Sequence, residues 1–121
     1  MSKDSIFLSI PSKPDYISLV RLTTSSIGYN KGLTIDEIED IKVSIGEACI
    51  NSLQLGGKEV ISIDYETDED KIVFKVSNCL EDIPEEFFDN KERELGILII
   101  KSLMDEVVFT DSGIEMTKFI E

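Results

Sequence analysis

The sequence predicts a two-layer α/β (α+β) sandwich, with helices packed on one face of a mostly antiparallel sheet. Three observations carry this prediction. Short runs of alternating apolar and polar residues occur near the start, in the middle and at the end of the chain. Longer segments between them repeat their apolar residues every three or four positions. The resulting order, βααββ(α)αββ, joins strands through tight turns as hairpins. The 121 residues are one domain's length, 1–121, with no internal repeat or low-complexity linker.

Taken in order, Ser5 to Ile10 alternates with Ile6, Leu8 and Ile10 on one side and reads as an edge or first strand, closed by Pro11 and Pro14. From Pro14, suited to a first helical turn, Ile17, Val20, Thr24 and Ile27 form a helical stripe. Gly28 and Gly32, with Asn30, are expected to end that helix. Thr34 to Gln54 reads as one long helix around which the rest is organised. Thr34 and Glu37 have the spacing of a capping box, and Leu33 can staple onto Ile38. Ile38, Ile41, Ile45, Ala48, Cys49 and Ser52 then mark its core-facing stripe.

Gly56-Gly57 breaks the helical pattern, and Lys58–Thr67 and Lys71–Asn78 follow as a hairpin about Asp68-Glu69-Asp70. Ile61, Ile63 and Tyr65 share one face of it with Ile72, Phe74 and Val76. Glu81 to Glu92 is acidic, contains Pro84, and is expected to be a loop or short helix held down by Phe87 and Phe88. Leu95 to Met104 reads as a mostly buried helix. Glu106–Thr110, the turn Asp111-Ser112-Gly113 and Ile114–Ile120 complete a final hairpin.

Composition narrows the functions. Hydrophobic residues at 41% and charged residues at 31% are those of a soluble globular chain. No apolar run approaches the ~20 residues of a membrane span, and the N-terminus lacks a signal peptide's apolar segment, so no membrane partner is expected and the cytoplasm is the expected location. A net charge of −13 argues against nucleic acid and favours a basic protein surface or a metal-bound ligand. Histidine is absent, which removes imidazole acid–base catalysis, Ser-His and Cys-His pairs and most zinc sites. Cys49 and Cys79 are expected to be buried reduced thiols rather than a disulfide. Any metal would be a hard, oxygen-liganded ion such as Mg²⁺.

Two features could serve a site. Glu47 and Asn51 are four residues apart and so stack on one face of the central helix, although a Glu-x-x-x-Asn pair is also common on solvated helices. Arg21 is the only basic residue of the first helix between Asp15 and Ile27, and a lone arginine there is usually solvated.

The flanks of the pair carry a family resemblance. GLTIDEIEDIKVSIGEACIN resembles the N box of the GHKL (Bergerat-fold, histidine kinase-like) ATPases, and more narrowly the bacterial anti-sigma-factor serine/threonine kinases of the RsbW/SpoIIAB type. IPSKPDYISLVRLT, ELGILIIKSLMDEV and EMTKFI agree in the family's order, so the resemblance covers nearly the whole chain. It implies a Bergerat fold, Mg-ATP as cofactor, a sigma factor and an antagonist (anti-anti-sigma) protein as partners, and a homodimer. It also implies roles. Glu47 would be the general base for a serine or threonine hydroxyl, and Asn51 would ligate Mg²⁺. Asn78, Gly96 and Thr117 would contribute to nucleotide binding, and Arg21 would face protein partners.

The sequence departs from the family pattern in its glycine boxes. Asn78 stands where the family has an aspartate that pairs with the adenine amino group, and Leu80 stands for a glycine. Arg93-Glu94 replaces a glycine pair, leaving Gly96 alone. Leucine restricts a backbone that glycine leaves free, and Glu94 brings a like charge near phosphate. Three readings follow: an active anti-sigma kinase, a nucleotide-poor binding module on the same fold, or an unrelated α/β domain.

Overall fold

A computed structural model describes residues 3–81 and 90–121, with the side chains of 90–93 left aside. The elements are β1 (Asp4–Pro11), a 3-10 turn (Pro14–Tyr16), α1 (Ile17–Asn30), α2 (Ile35–Leu55), β2 (Val60–Thr67), β3 (Lys71–Ser77), α3 (Asn90–Leu103), β4 (Glu106–Thr110) and β5 (Gly113–Phe119). The five strands form one sheet in the order β1-β2-β3-β5-β4, with every neighbouring pair antiparallel. The connection through α3 carries the chain from β3 to the far edge, and β5 then returns between β3 and β4.

Alternation decides which face is dry. Ile10, Ile61, Ile63, Tyr65, Ile72, Phe74, Val76, Ile114 and Met116 are buried, and their register places them on one face. The helices supply the opposing residues, including Val20, Ile41, Ile45, Ala48, Cys49 and Ile100. Within this core Tyr65 meets Phe74 edge-to-face at 5.7 Å, and its hydroxyl lies 2.9 Å from Thr24 Oγ1. That hydrogen bond gives the tyrosine's polar end a partner beneath α1.

Helix α2 packs against α1 on one side and α3 on the other, and it crosses β3. Its first turn has the expected capping box: Glu37 N–H donates to Thr34 Oγ1 at 3.1 Å, and Thr34 N–H donates to Glu37 Oε1 at 2.9 Å. Of the two glycines expected to end α1, only the second does so. Gly28 does not end α1 but lies buried inside it, where a Cβ would stand 3.0 Å from Ile41 Cδ1; the missing side chain lets α1 approach α2 closely. The stop comes at Gly32, with φ +77°, where Leu33 N–H donates to Gly28 O and Gly32 N–H to Tyr29 O in a Schellman motif.

Helix α3 begins at Asn90, five residues before the expected Leu95, and ends at Leu103. It is amphipathic rather than mostly buried. Ile100 and Met104, just past its end, face the core and Ile97 is also buried, while Leu95 and Leu98 are 58% and 62% exposed. The expected anchoring by Phe87 and Phe88 lies outside the described residues. Cys49 and Cys79 are both buried thiols, as expected. Burial pushes the Cys49 thiol up to about 12, with the Arg21 guanidinium acting in the opposite sense.

Candidate active site between the second and third helices

The C-terminal half of α2 and the middle of α3 enclose a cavity of about 210 Å³, lined by Glu47, Ile50, Asn51, Gln54, Leu95, Gly96 and Ile99. Helical spacing explains the α2 side. Glu47, Asn51 and Gln54 recur at four and three residues and so project along one face. Glycine explains the α3 side. A Cβ at Gly96 would stand 3.0 Å from Glu47 Oε1, so any larger residue there would press on the carboxylate. Asn51 is 5% exposed, and its Nδ2 donates to Leu80 O at a long 3.4 Å.

The structure therefore brings Glu47, Asn51 and Gly96 together. Gly96 lies inside α3, so its contribution is space for Glu47 rather than a turn at a helix start. Asn78 is placed differently. It has φ +57°, and its Nδ2 donates to Gly56 O at 3.1 Å and Ser52 O at 3.3 Å, so it caps the end of α2 from the β3 exit. It lines a separate hollow of about 550 Å³ with Lys58, Val60, Ser62, Ser77, Leu80, Asp111 and Ser112.

Thr117 is not brought to the Glu47–Asn51 cavity. It pairs with Val73 and Glu106, and its neighbour Met116 points into the core, so alternation turns Thr117 to the sheet face away from the helices. Arg21 is half-buried, and its guanidinium lies across α2 at Gly46, where a Cβ would fall 2.6 Å from Nη2. Arg21 takes part in none of the salt bridges found among the described residues.

Gln54, Ile50, Leu95 and Ile99 also line the cavity without having been singled out from the sequence. Gln54 was within reach of the same arithmetic that picked Asn51, because it lies three residues further along the same face. Ile99 follows Leu95 by one turn. The carbonyl of Leu80 carried no sequence signal, because any residue could supply it.

The donor set suits a hard cation. A carboxylate and an amide carbonyl are oxygen ligands of the kind Mg²⁺ takes, and Mg²⁺ sites use few protein ligands beside phosphate and water. Among the described residues no group of three or more His, Cys, Asp or Glu gathers to hold a metal. A cation here would thus draw most of its ligands from phosphate and water.

Comparison with known proteins agrees with this architecture. The model of the histidine kinase-like ATPase domain matches residues 10–118, so the chain belongs to that family, whose fold is the five-stranded antiparallel sheet with helices on one face described above. More narrowly, it is similar to the serine-protein kinase RsbW of Staphylococcus aureus. In strains JH9 and Newman the identity is 36% over 141 residues, covering 98% of this chain and 89% of the relative. This places the chain with the RsbW type of anti-sigma kinase and sets aside the reading of an unrelated α/β domain. A chain of 121 residues leaves at least 20 of those 141 positions without a counterpart. Among the described residues no helix is long and apolar enough to cross a membrane.

Proposed function

We propose that the chain is a cytoplasmic anti-sigma kinase that binds a sigma factor and uses Mg-ATP to phosphorylate a serine or threonine of its antagonist protein. The observation that carries this reading is the convergence of Glu47, Asn51 and Gly96 on one cavity between α2 and α3. Its volume of about 210 Å³ is below the ~300–1,000 Å³ of pockets that enclose a drug-sized ligand. The cavity therefore suits the phosphate and metal end of a nucleotide, with the nucleoside lying beyond it.

In this reading Glu47 takes the proton of the substrate hydroxyl. The hydroxyl oxygen bonds to the γ-phosphorus as the bond to the β–γ bridging oxygen breaks, leaving a phosphorylated side chain and ADP. Bound Mg²⁺ would neutralise charge on the phosphates, and Asn51 would hold it through Oδ1. Ile50, Leu95 and Ile99 supply apolar walls to the same space. Gly96 keeps the base in place. Asn78, the resemblance's candidate for adenine, stands at the far side of the α2 terminus. Thr117, the other, lies on the opposite sheet face, so it enters this reading as part of the sheet rather than of the pocket.

Partner binding belongs to a different surface. The Arg21 guanidinium lies across α2 at Gly46, Leu22 of α1 and Val43 of α2 are exposed, and the net charge of −13 favours a basic partner. The resemblance adds a homodimer, which light scattering at micromolar concentration tests directly.

The kinase reading is tested by transfer of labelled γ-phosphate to a purified antagonist protein of the anti-anti-sigma type. The native chain is expected to transfer it in the presence of Mg²⁺. Glu47→Ala should abolish transfer while leaving nucleotide affinity largely intact. Loss of affinity together with transfer would make Glu47 a structural residue and refute its role as base.

A further inference from the structure

The geometry points to Asn78 as a positioning residue that clamps the end of α2 and thereby holds Asn51 at the cavity, and not as a base-recognising group. Its nucleotide arm rests on the function proposed above; its structural arm does not.

Asn78 sits just past β3 with φ +57°, in the left-handed region that asparagine tolerates better than most residues. Its backbone N–H donates to Ser112 O at 3.0 Å, which ties it to the β4–β5 turn. Its side chain reaches the other way. Nδ2 donates to Gly56 O at 3.1 Å and to Ser52 O at 3.3 Å, carbonyls at the end of α2 where the helix cannot satisfy all its acceptors. Two residues further on, Leu80 O accepts from Asn51 Nδ2 at 3.4 Å. The two segments are thus cross-linked reciprocally. An amide from the β3 exit grips the helix end, and an amide from the helix grips the β3 exit.

Charge explains why position 78 holds an amide. An aspartate has no hydrogen to donate at neutral pH. It would also place a negative charge against carbonyl oxygens at the negative end of the helix dipole. The clamp therefore requires the residue that departs from the family's aspartate. Asn51 immediately precedes Ser52, one of the two gripped residues, so loosening the helix end moves the very side chain that would hold the metal.

The test sets Asn78→Asp against the native chain. Without nucleotide, the thermal midpoint is expected to fall by about 4–8 °C. Combined with Asn51→Ala, the two midpoint shifts should be less than additive, because each breaks one arm of the same link. With Mg-ADP, affinity should fall about tenfold, and the fall should vanish when Mg²⁺ is replaced by chelator. A purely structural role would lower the midpoint but leave the Mg²⁺-dependent part of the affinity unchanged, which would overturn the positioning claim. An unchanged midpoint with tighter Mg-ADP binding would show that residue 78 reads the base and would overturn the clamp. Additive midpoint shifts would overturn the link between the two amides. If the Asp variant does not fold, Asn78→Gly carries the same test, since glycine keeps the backbone angle and removes only the amide. If no form binds nucleotide, the proposed kinase function fails, and the midpoint and the double-variant cycle still decide the clamp.

Discussion

Gly96→Ala should make the protein more stable and a poorer catalyst. The added Cβ would stand 3.0 Å from Glu47 Oε1, closer than the 3.4–4 Å of ordinary van der Waals contact. Glu47 is flexible, so the carboxylate should swing aside by a few tenths of an ångström rather than force the helices apart. Alanine in the interior of α3 also removes the conformational cost of glycine, about 1 kcal/mol. In a chain of 121 residues that gain is expected to raise the melting temperature by about 4 °C. Catalysis responds in the opposite direction. Misplacing a catalytic group by ~1 Å can cost about 10²-fold, so a few tenths should cost roughly three- to tenfold in the transfer step. The assay is single-turnover phosphotransfer alongside a thermal melt, with KM for ATP measured on the same samples. A more stable variant with an unchanged transfer rate would refute the claim that Gly96 keeps Glu47 in place.

Two further outcomes follow from packing and burial. Gly46→Ala would drive a Cβ into the Arg21 guanidinium, so the arginine should leave α2. The melting temperature should hold or rise while partner affinity changes at least threefold, measured by titration calorimetry; unchanged affinity would separate Arg21 from the partner surface. At alkaline pH the buried Tyr65 and Cys49 should govern stability. Burial pushes the Tyr65 hydroxyl from 10.0 up to about 12, although its bond with Thr24 opposes this, so the folded state prefers the neutral phenol. Its contribution is fully present below pH 10 and is lost as pH rises through about 12, a change of roughly 3 kcal/mol. Cys49, raised from 9.0 to about 12, adds a larger loss beginning near pH 9. Tyr65→Phe should therefore flatten urea-midpoint curves between pH 10 and 12, and equal slopes in the two proteins would contradict the burial argument.

The sequence revealed most of the fold because its signals were local. The capping box at Thr34 and Glu37 fixed the start of α2, and the apolar stripe through Ile41, Ile45 and Ala48 fixed its buried face. Alternation likewise marked β1, β2, β3 and β5, whereas β4 carries the unbroken apolar run Val107-Val108-Phe109. The early start of α3 was hidden because Asn90 to Glu94 are polar and show no apolar period. Gly28 looked like a helix stop because only the neighbouring Ile41 reveals that it serves close packing.

The site divided along the same line. Glu47 and Asn51 were readable because a helix places residues four apart together, and Gln54 could have been added by the same spacing. The role of Asn78 was not readable, because the carbonyls it caps lie 22 and 26 residues earlier in the chain. Parity, counted from the buried Ile114 and Met116, already turns Thr117 to the sheet face away from the Glu47–Asn51 cavity.

Calorimetric titration of the native chain and Asn51→Ala with Mg-ADP tests the central claim most directly. Saturable binding by the native chain, weakened at least tenfold by the substitution and dependent on Mg²⁺, is the expected result. Absence of binding by the native chain at millimolar nucleotide, or equal binding by both proteins, would contradict the assignment of the Glu47–Asn51 cavity as a nucleotide and metal site.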